Sequence, residues 1–336
     1  MNLDNLVFIL FLIQVVGSFV ILHKRNYLSH NLGLIDKPNS RKIHKVPTPK
    51  IGSLLMFLSW FTISIVIFYI SSFTLQQKIV FIFSSLLIIF LGYIDDKFVL
   101  SGKSKIFPLI FIISFLILQF PDYFLINNFY LTEQRIIDIK KIGFIFSIFC
   151  LITIIIAVDL FDGINLICCI FFISKFLLFL LLIDLNAEFE FINKSFLIVL
   201  IIFSFFNIYG KAFLSSGGTY LLSFYLGLEL IYISNILNEI NALQIFSLLF
   251  LPGVDMVRVF FLRLFKTGKV FTADKSHFHH ILNKRYDKNI VILIISTYII
   301  GFDILNLFEL LEIFKILFIQ TAIYILFLLF SLRSLK

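Results

Sequence analysis

Eleven long apolar runs dominate this 336-residue chain, at about 5–22, 51–72, 78–94, 106–120, 143–160, 165–186, 194–210, 220–235, 243–262, 289–308 and 313–332. A helix that crosses a bilayer needs about 20 apolar residues at a rise of about 1.5 Å each. The runs meet that requirement, although the stretch 220–262 can be divided otherwise to give ten or twelve spans. Charged residues are only 14% of the chain and apolar ones 60%, with a mean hydropathy of +1.05. A water-soluble domain carries roughly 25% charged residues, so most of this surface faces lipid. The same arithmetic excludes disorder, a collagen-like repeat and a disulfide-stapled secreted fold. The three cysteines, Cys150, Cys168 and Cys169, all lie inside apolar runs.

The first run follows Met1-Asn2-Leu3-Asp4 and precedes His23-Lys24-Arg25. A cleaved signal peptide has its positive charge before the apolar stretch, so this run reads as a retained anchor with its N-terminus outside. Eleven spans then place 21 Lys and Arg residues on one face and six on the other, with Lys175 inside a span. The positive-inside rule makes the richer face cytoplasmic. The net charge of +8 is therefore a topology signal and no indication of nucleic-acid binding.

Five polar clusters fall on that face. The first holds Asp36-Lys37-Pro38-Asn39 and then Arg41, Lys42, His44 and Lys45. It reads as a cradle for phosphate or as a basic loop resting on anionic headgroups. The second is Gly92-Tyr93-Ile94-Asp95-Asp96-Lys97, in which two carboxylates end an apolar helix. The helix dipole disfavours anions there, and carboxylates near a bilayer are costly. A pair of hard oxygen ligands suits Mg²⁺, and a solvated acidic loop neutralised by nearby lysines is the alternative. The third contains Asp159, Asp162, Gly163 and Asn165, with the two carboxylates three apart on one helix face. The fourth, Ser215-Ser216-Gly217-Gly218-Thr219, reads as a small-residue turn whose backbone N–H groups can approach an anion. The fifth is Asp274-Lys275-Ser276-His277-Phe278-His279-His280, three of the six histidines within four positions. Adventitious metal binding and headgroup contact are its plainer readings.

Carboxylates for a divalent cation beside cations and imidazoles for phosphate, all on one membrane face, suit phosphoryl transfer. A transporter would place its ionisable groups at mid-membrane between internal repeats. Only Lys175 and Glu229 read as buried at that depth, and no repeat is evident.

In order and spacing these clusters resemble the polyprenyl-phosphate N-acetylhexosamine-1-phosphate transferases. The likeness runs from about Gly33 to Leu282, through Asp36 to Gly52, Gly92 to Asp96, Asp162 to Asn165, and Asp274 to His280. Pro252, Asp255 and Arg258 are similar to the family's stretch before the histidine loop, and the basic loop resembles the branch using UDP-N-acetylhexosamines. The resemblance implies an all-α integral membrane bundle of about eleven helices, a single polytopic domain over 1–336, with a cytoplasmic active-site cleft. It implies transfer of N-acetylhexosamine-1-phosphate from a UDP-sugar to polyprenyl phosphate, with release of UMP, as the first membrane step of a cell-surface glycan pathway. It also implies the cofactor Mg²⁺, or Mn²⁺ in its place, and a bacterial inner-membrane location. A homodimer is left open, and nucleic acid is not an expected partner. On this basis Asp95, Asp96 and Asp162 are the expected catalytic residues. Asp95, Asp96 and Asp159 are the expected metal ligands. Arg41, Lys42, His44, Asn165, His277, His279 and His280 are expected to hold substrate.

Two positions depart from the family pattern. The family usually has Phe-x-Gly-Asp-x-Gly in the fourth cluster, with the Asp on the metal; here the aspartate position is Ser216. Asp159 stands where relatives usually have Asn. Either the carboxylate has moved to Asp159 and the metal with it, or the chain is a degenerate paralogue that binds nucleotide-sugar or lipid phosphate without turnover.

Overall fold

The computed structural model describes residues 3–38, 46–132, 135–268 and 275–333. The chain runs through α1 (Leu3–His23), α2 (Arg25–Leu32), β1 (Ile35–Asp36), β2 (Thr48–Pro49), α3 (Gly52–Ile70), α4 (Leu75–Phe98), α5 (Gly102–Gln119) and α6 (Pro121–Phe124). It continues with β3 (Asn128–Thr132), β4 (Arg135–Asp138), α7 (Gly143–Phe161), α8 (Ile167–Leu182), α9 (Ala187–Asn207) and α10 (Ser215–Tyr232), which runs into a π-helical turn at Ile233–Leu237. The last elements are α11 (Ala242–Leu248), α12 (Phe250–Thr267), α13 (Phe278–Asn283), α14 (Lys288–Leu307) and α15 (Ile313–Arg333).

Every apolar run of the sequence is helical, because in hydrocarbon a helix satisfies its own backbone polar groups. Nine helices among the described residues are long and apolar enough to cross a membrane. Two runs depart from the expected eleven simple spans. The run 243–262 is two helices, α11 and α12, bent by 78° at Leu249. Pro252 lies in the first turn of α12, where its missing N–H is tolerated but a continuous helix would lose a bond. The run 165–186 yields only the 16 residues of α8, about 24 Å at the helical rise.

Sequence signals set several helix starts. Thr74 and Gln77 form a reciprocal capping box at α4, and Asn241 and Gln244 another at α11. Ser101 and Asn186 cap α5 and α9. The stretch 121–142 holds α6 and the antiparallel β3–β4 hairpin.

The centre of the bundle is α10, packed against α3, α4 and α7. In its apolar stretch 78% of residues are buried, against 22% for α1 and α15. Its neighbours all bring one end to its first turn: the start of α3, the end of α4 and the end of α7. That convergence positions the site.

Candidate active site

The first turn of α10 is held by carboxylates from two other helices. Ser215 has a left-handed φ of 56°, and no side chain of its own segment caps the helix. Asp162, the C-cap of α7, accepts the Ser215 backbone N–H at 3.0 Å. Asp96, in the last turn of α4, accepts the Ser216 N–H at 3.1 Å on one oxygen and the Gly217 N–H at 2.9 Å on the other. The Ser215 hydroxyl also donates to Asp96. The sequence suggested a loose small-residue turn whose amides receive a substrate anion. The structure instead makes it helix, with those amides bound to the protein's own aspartates.

Glycine makes this approach feasible. A Cβ on Gly217 would lie 2.3 Å from Ser53 Cβ and 3.0 Å from Asp96 Oδ2. No larger residue fits between α3 and α4 there.

Beside Asp96, Asp95 turns to a different set of partners. Lys105 Nζ lies 2.6 Å from Asp95 Oδ2 and 3.4 Å from Asp159 Oδ2, so one ammonium links two carboxylates. Tyr220 donates its hydroxyl to Asp95 at 3.0 Å, and the Leu100 N–H donates at 2.8 Å. Asp159, in the last turn of α7, accepts from Thr219 Oγ1 at 3.1 Å, and the same hydroxyl lies 3.4 Å from the Ser216 carbonyl oxygen. The two positions that depart from the family pattern are therefore linked through Thr219. Asp162 is half-buried, and loss of water raises its carboxyl to about 6, opposed by the Ser215 amide.

The basic loop is attached to the same place. Its flanks pair as β1 and β2, Ile35 with Pro49 and Asp36 with Thr48. Lys50 bridges to Phe213 just before α10, and its Nζ sits 3.0 Å from the Asp96 carbonyl oxygen and 3.6 Å from Asp36 Oδ1. Arg41, Lys42 and His44 themselves lie outside the described residues.

The histidine segment closes on the α7 turn. A Cβ on Gly163 would stand 1.9 Å from His279 Nε2, so the ring lies directly on that glycine. His279 is buried, its Nδ1 has no hydrogen-bond partner among the described residues, and burial depresses its protonation well below the usual imidazole range. The His277 and His280 rings lie 5.9 and 4.3 Å from it. Asn165 is also brought in, but its amide donates to the Asn207 carbonyl at 2.6 Å, while Asn207 accepts the Leu166 N–H. That exchange ties the turn after α7 to the end of α9.

The structure thus brings together Asp95, Asp96, Asp159, Asp162, Asn165 and the three histidines. Sequence reasoning placed Lys50, Thr219 and Tyr220 within the clusters but gave them, like Lys105, no role in the site. Lys105 read as one of the lysines neutralising a solvated acidic loop around Asp95 and Asp96. The available signal was the position of Lys105 and Lys50, each at a helix start facing an acidic helix end.

A divalent cation fits the donor set in one way. Among the described residues no three His, Cys, Asp or Glu side chains are gathered as a ready-made metal cage. Mg²⁺, however, commonly takes only one or two carboxylates and completes its shell with water and phosphate oxygens. Asp95 and Asp159, already sharing the positive charge of Lys105, supply such a pair.

A family model for glycosyl transferase family 4 matches residues 78–234, which contain the second, third and fourth clusters. Over 271 residues the chain is 23% identical to the undecaprenyl-phosphate alpha-N-acetylglucosaminyl 1-phosphate transferase of Escherichia coli O157:H7, covering 76% of this chain and 70% of the relative. The protein of the same name in Haemophilus influenzae is 23% identical over 286 residues, 80% of this chain and 77% of the relative. The one from Pasteurella multocida aligns over 90 residues at 27% identity, 27% of this chain and 24% of the relative. Aspartates from two helix ends gathered on a third helix, in a polytopic helical chain with these matches, support a likeness to the polyprenyl-phosphate sugar-1-phosphate transferases.

Proposed function

We propose that this chain transfers an N-acetylhexosamine-1-phosphate from a UDP-sugar to undecaprenyl phosphate, on the cytoplasmic side of a bacterial inner membrane. The N-terminus then lies on the periplasmic side. The observation that carries this reading is the shared contact of Asp95 and Asp159 with Lys105, beside Asp162 and the histidine rings. Opposite charges lie side by side at one end of a membrane bundle, as a reaction between two phosphates requires.

In the reaction, a phosphate oxygen of the lipid attacks the sugar-bearing phosphorus of the donor. The bond from that phosphorus to the bridging oxygen breaks, and UMP leaves with the electron pair. The product is a polyprenyl diphosphate sugar. A phosphate monoester is largely ionised near neutrality, so no side chain needs to remove a proton from it. The work of the protein is positioning and charge stabilisation. Lys105 is placed to contact phosphate oxygens in the space between α4, α5 and α7. His277, His279 and His280 are assigned to the UDP-sugar donor, with Asp162 and Asn165 shaping the turn beneath them. Asp96 is assigned to holding the first turn of α10, since both its oxygens are engaged there.

Asp95 and Asp159 are the residues that would hold Mg²⁺, or Mn²⁺ in its place. When bound, the ion screens the phosphate charges as the attacking and leaving oxygens exchange. Asp159 replaces on α7 the carboxylate that Ser216 lacks on α10, and their link through Thr219 supports a functional site over a degenerate one.

The test is UMP release by purified protein given undecaprenyl phosphate, Mg²⁺ and a panel of UDP-sugars. Release with a UDP-N-acetylhexosamine and little with UDP-glucose supports the reading. Donor binding without release from any sugar would overturn it.

A further inference from the structure

One buried carboxylate outside this cluster collects an unusual number of donors. Asp255, on α12, is 2% exposed. Its Oδ2 lies 2.9 Å from His277 Nδ1. Both oxygens accept the Phe278 N–H, at 3.0 and 3.1 Å. Oδ1 also accepts from Arg258 Nη2 at 2.7 Å and from the Tyr324 hydroxyl at 3.0 Å. Arg258 reaches further, from Nε to Tyr324 and from Nη2 to the Ser276 carbonyl. Three elements, α12, α13 and α15, meet on this side chain.

The consequences fall on His277. It is the N-cap of α13 and uses no side-chain bond to cap it. Asp255 performs that service from α12 through the Phe278 N–H. A carboxylate only accepts, so the ring nitrogen facing it must carry the proton. That fixes Nδ1–H, and Nε2 is left as the nitrogen directed away from Asp255, on the side where Arg263 Nη2 approaches to 3.5 Å. The ring planes of His277 and His279 are nearly parallel, 7° apart, so the orientation set at His277 extends toward the Gly163 turn.

We propose that Asp255, braced by Arg258 and Tyr324, is the positioning residue of the histidine segment, and that it leaves His277 Nε2 as an acceptor for a hydroxyl or amide N–H of the UDP-sugar. Asp255 itself touches no substrate. The UDP-sugar half of this statement rests on the function proposed above; the Nδ1–H tautomer does not.

The test is therefore spectroscopic first. In ¹⁵N-histidine-labelled protein in lipid at about pH 8, the His277 signals are identified by their loss in His277→Gln. The wild type should show Nδ1 protonated. In Asp255→Asn the amide cannot accept on both sides. Arg258 and the Phe278 N–H can only donate, so they retain the amide oxygen and turn its NH₂ toward the ring. The His277 proton should then move to Nε2. A wild-type His277 with an unprotonated Nδ1 would overturn the proposal, even if Asp255→Asn did not fold. An unchanged tautomer in a folded Asp255→Asn would do the same.

The second readout is kinetic. Loss of a group that orients a ligand-binding histidine typically costs ten- to a hundredfold, so Asp255→Asn should raise KM for the UDP-sugar by about tenfold or more, with a smaller change in kcat. In the His277→Gln background Asp255→Asn should add nothing to that KM. Independent, multiplying losses would show that Asp255 acts through stability alone and would overturn the positioning role. If the wild-type protein releases no UMP, the function fails while the tautomer result still decides the role of Asp255.

Discussion

Asp96 on α4 caps a helix that is not its own: its Oδ2 accepts the Gly217 backbone N–H of α10 at 2.9 Å. Its other oxygen takes the Ser216 N–H, and Lys50 lies against the carbonyl of the same residue. The second aspartate of the pair is thereby an interhelical clamp, and the first is left to Lys105 and Tyr220.

That division predicts different failures for the two. Asp96→Asn keeps one acceptor and loses the other at the α10 N-terminus, which should lower stability by about 1–3 kcal/mol. Asp95→Asn should leave thermal stability nearer wild type and reduce UMP release more. Unfolding in detergent micelles, followed with the transferase assay, separates them. Gly217→Ala should behave like Asp96→Asn, since its Cβ would press on Ser53 and Asp96.

Asp159 and Ser216 form a second testable pair. Asp159→Asn should reduce UMP release by about a hundredfold or more, as loss of a charge stabiliser does. Ser216→Asp in that background should restore a large part of it, because the carboxylate returns to the same space from α10. In the wild-type background Ser216→Asp places like charges together and should lower activity. Initial rates at saturating donor check all three variants.

The raised carboxyl of Asp162, at about 6, gives opposite pH trends for activity and stability. Protonation weakens the charge-assisted bond from the Ser215 amide, so activity should fall as pH drops through about 6. For stability, a carboxyl raised above its ordinary 3.8 favours the folded state when protonated. Its contribution is present below 3.8 and is lost as pH rises through about 6. Asp162→Asn should flatten the unfolding temperature across that window.

Deep in the bundle, Lys175 on α8 and Asp303 on α14 form a fully buried pair at 2.8 Å, with Ser174 donating to the same carboxylate at 2.6 Å. Asp303→Asn leaves a buried ammonium without its counter-charge and should cost about 3–5 kcal/mol. Lys175→Met with Asp303→Leu should recover most of that stability and leave UMP release intact, since the pair lies outside the site. Thermal unfolding of the single and double variants measures this.

The spans were legible because lipid imposes one solution on a long apolar run, and the polar clusters because charge at a membrane edge is costly. Asp95, Asp159, Asp162 and His279 were singled out that way. The 78° break before α12 was not, although Pro252 marks it, because α11 and α12 together form one unbroken apolar pattern. Lys105 read only as one of three lysines neutralising an acidic loop. Its meaning depends on α4, α5 and α7 meeting, which sequence spacing does not encode. The partners of Asp96 were hidden for a related reason: they are backbone amides, and their approach depends on Gly217 lying against α3 and α4. Asp255 read as part of a motif without a role until α12, α13 and α15 were seen to meet on it.

The central claim concerns which bond breaks, and a donor labelled with ³²P at its sugar-bearing phosphorus tests it. Given undecaprenyl phosphate and a divalent cation, the label should pass into the lipid phase, in equal amount to the UMP released. Label remaining in water as UDP while the sugar moves to lipid, or no movement of either, would contradict the account.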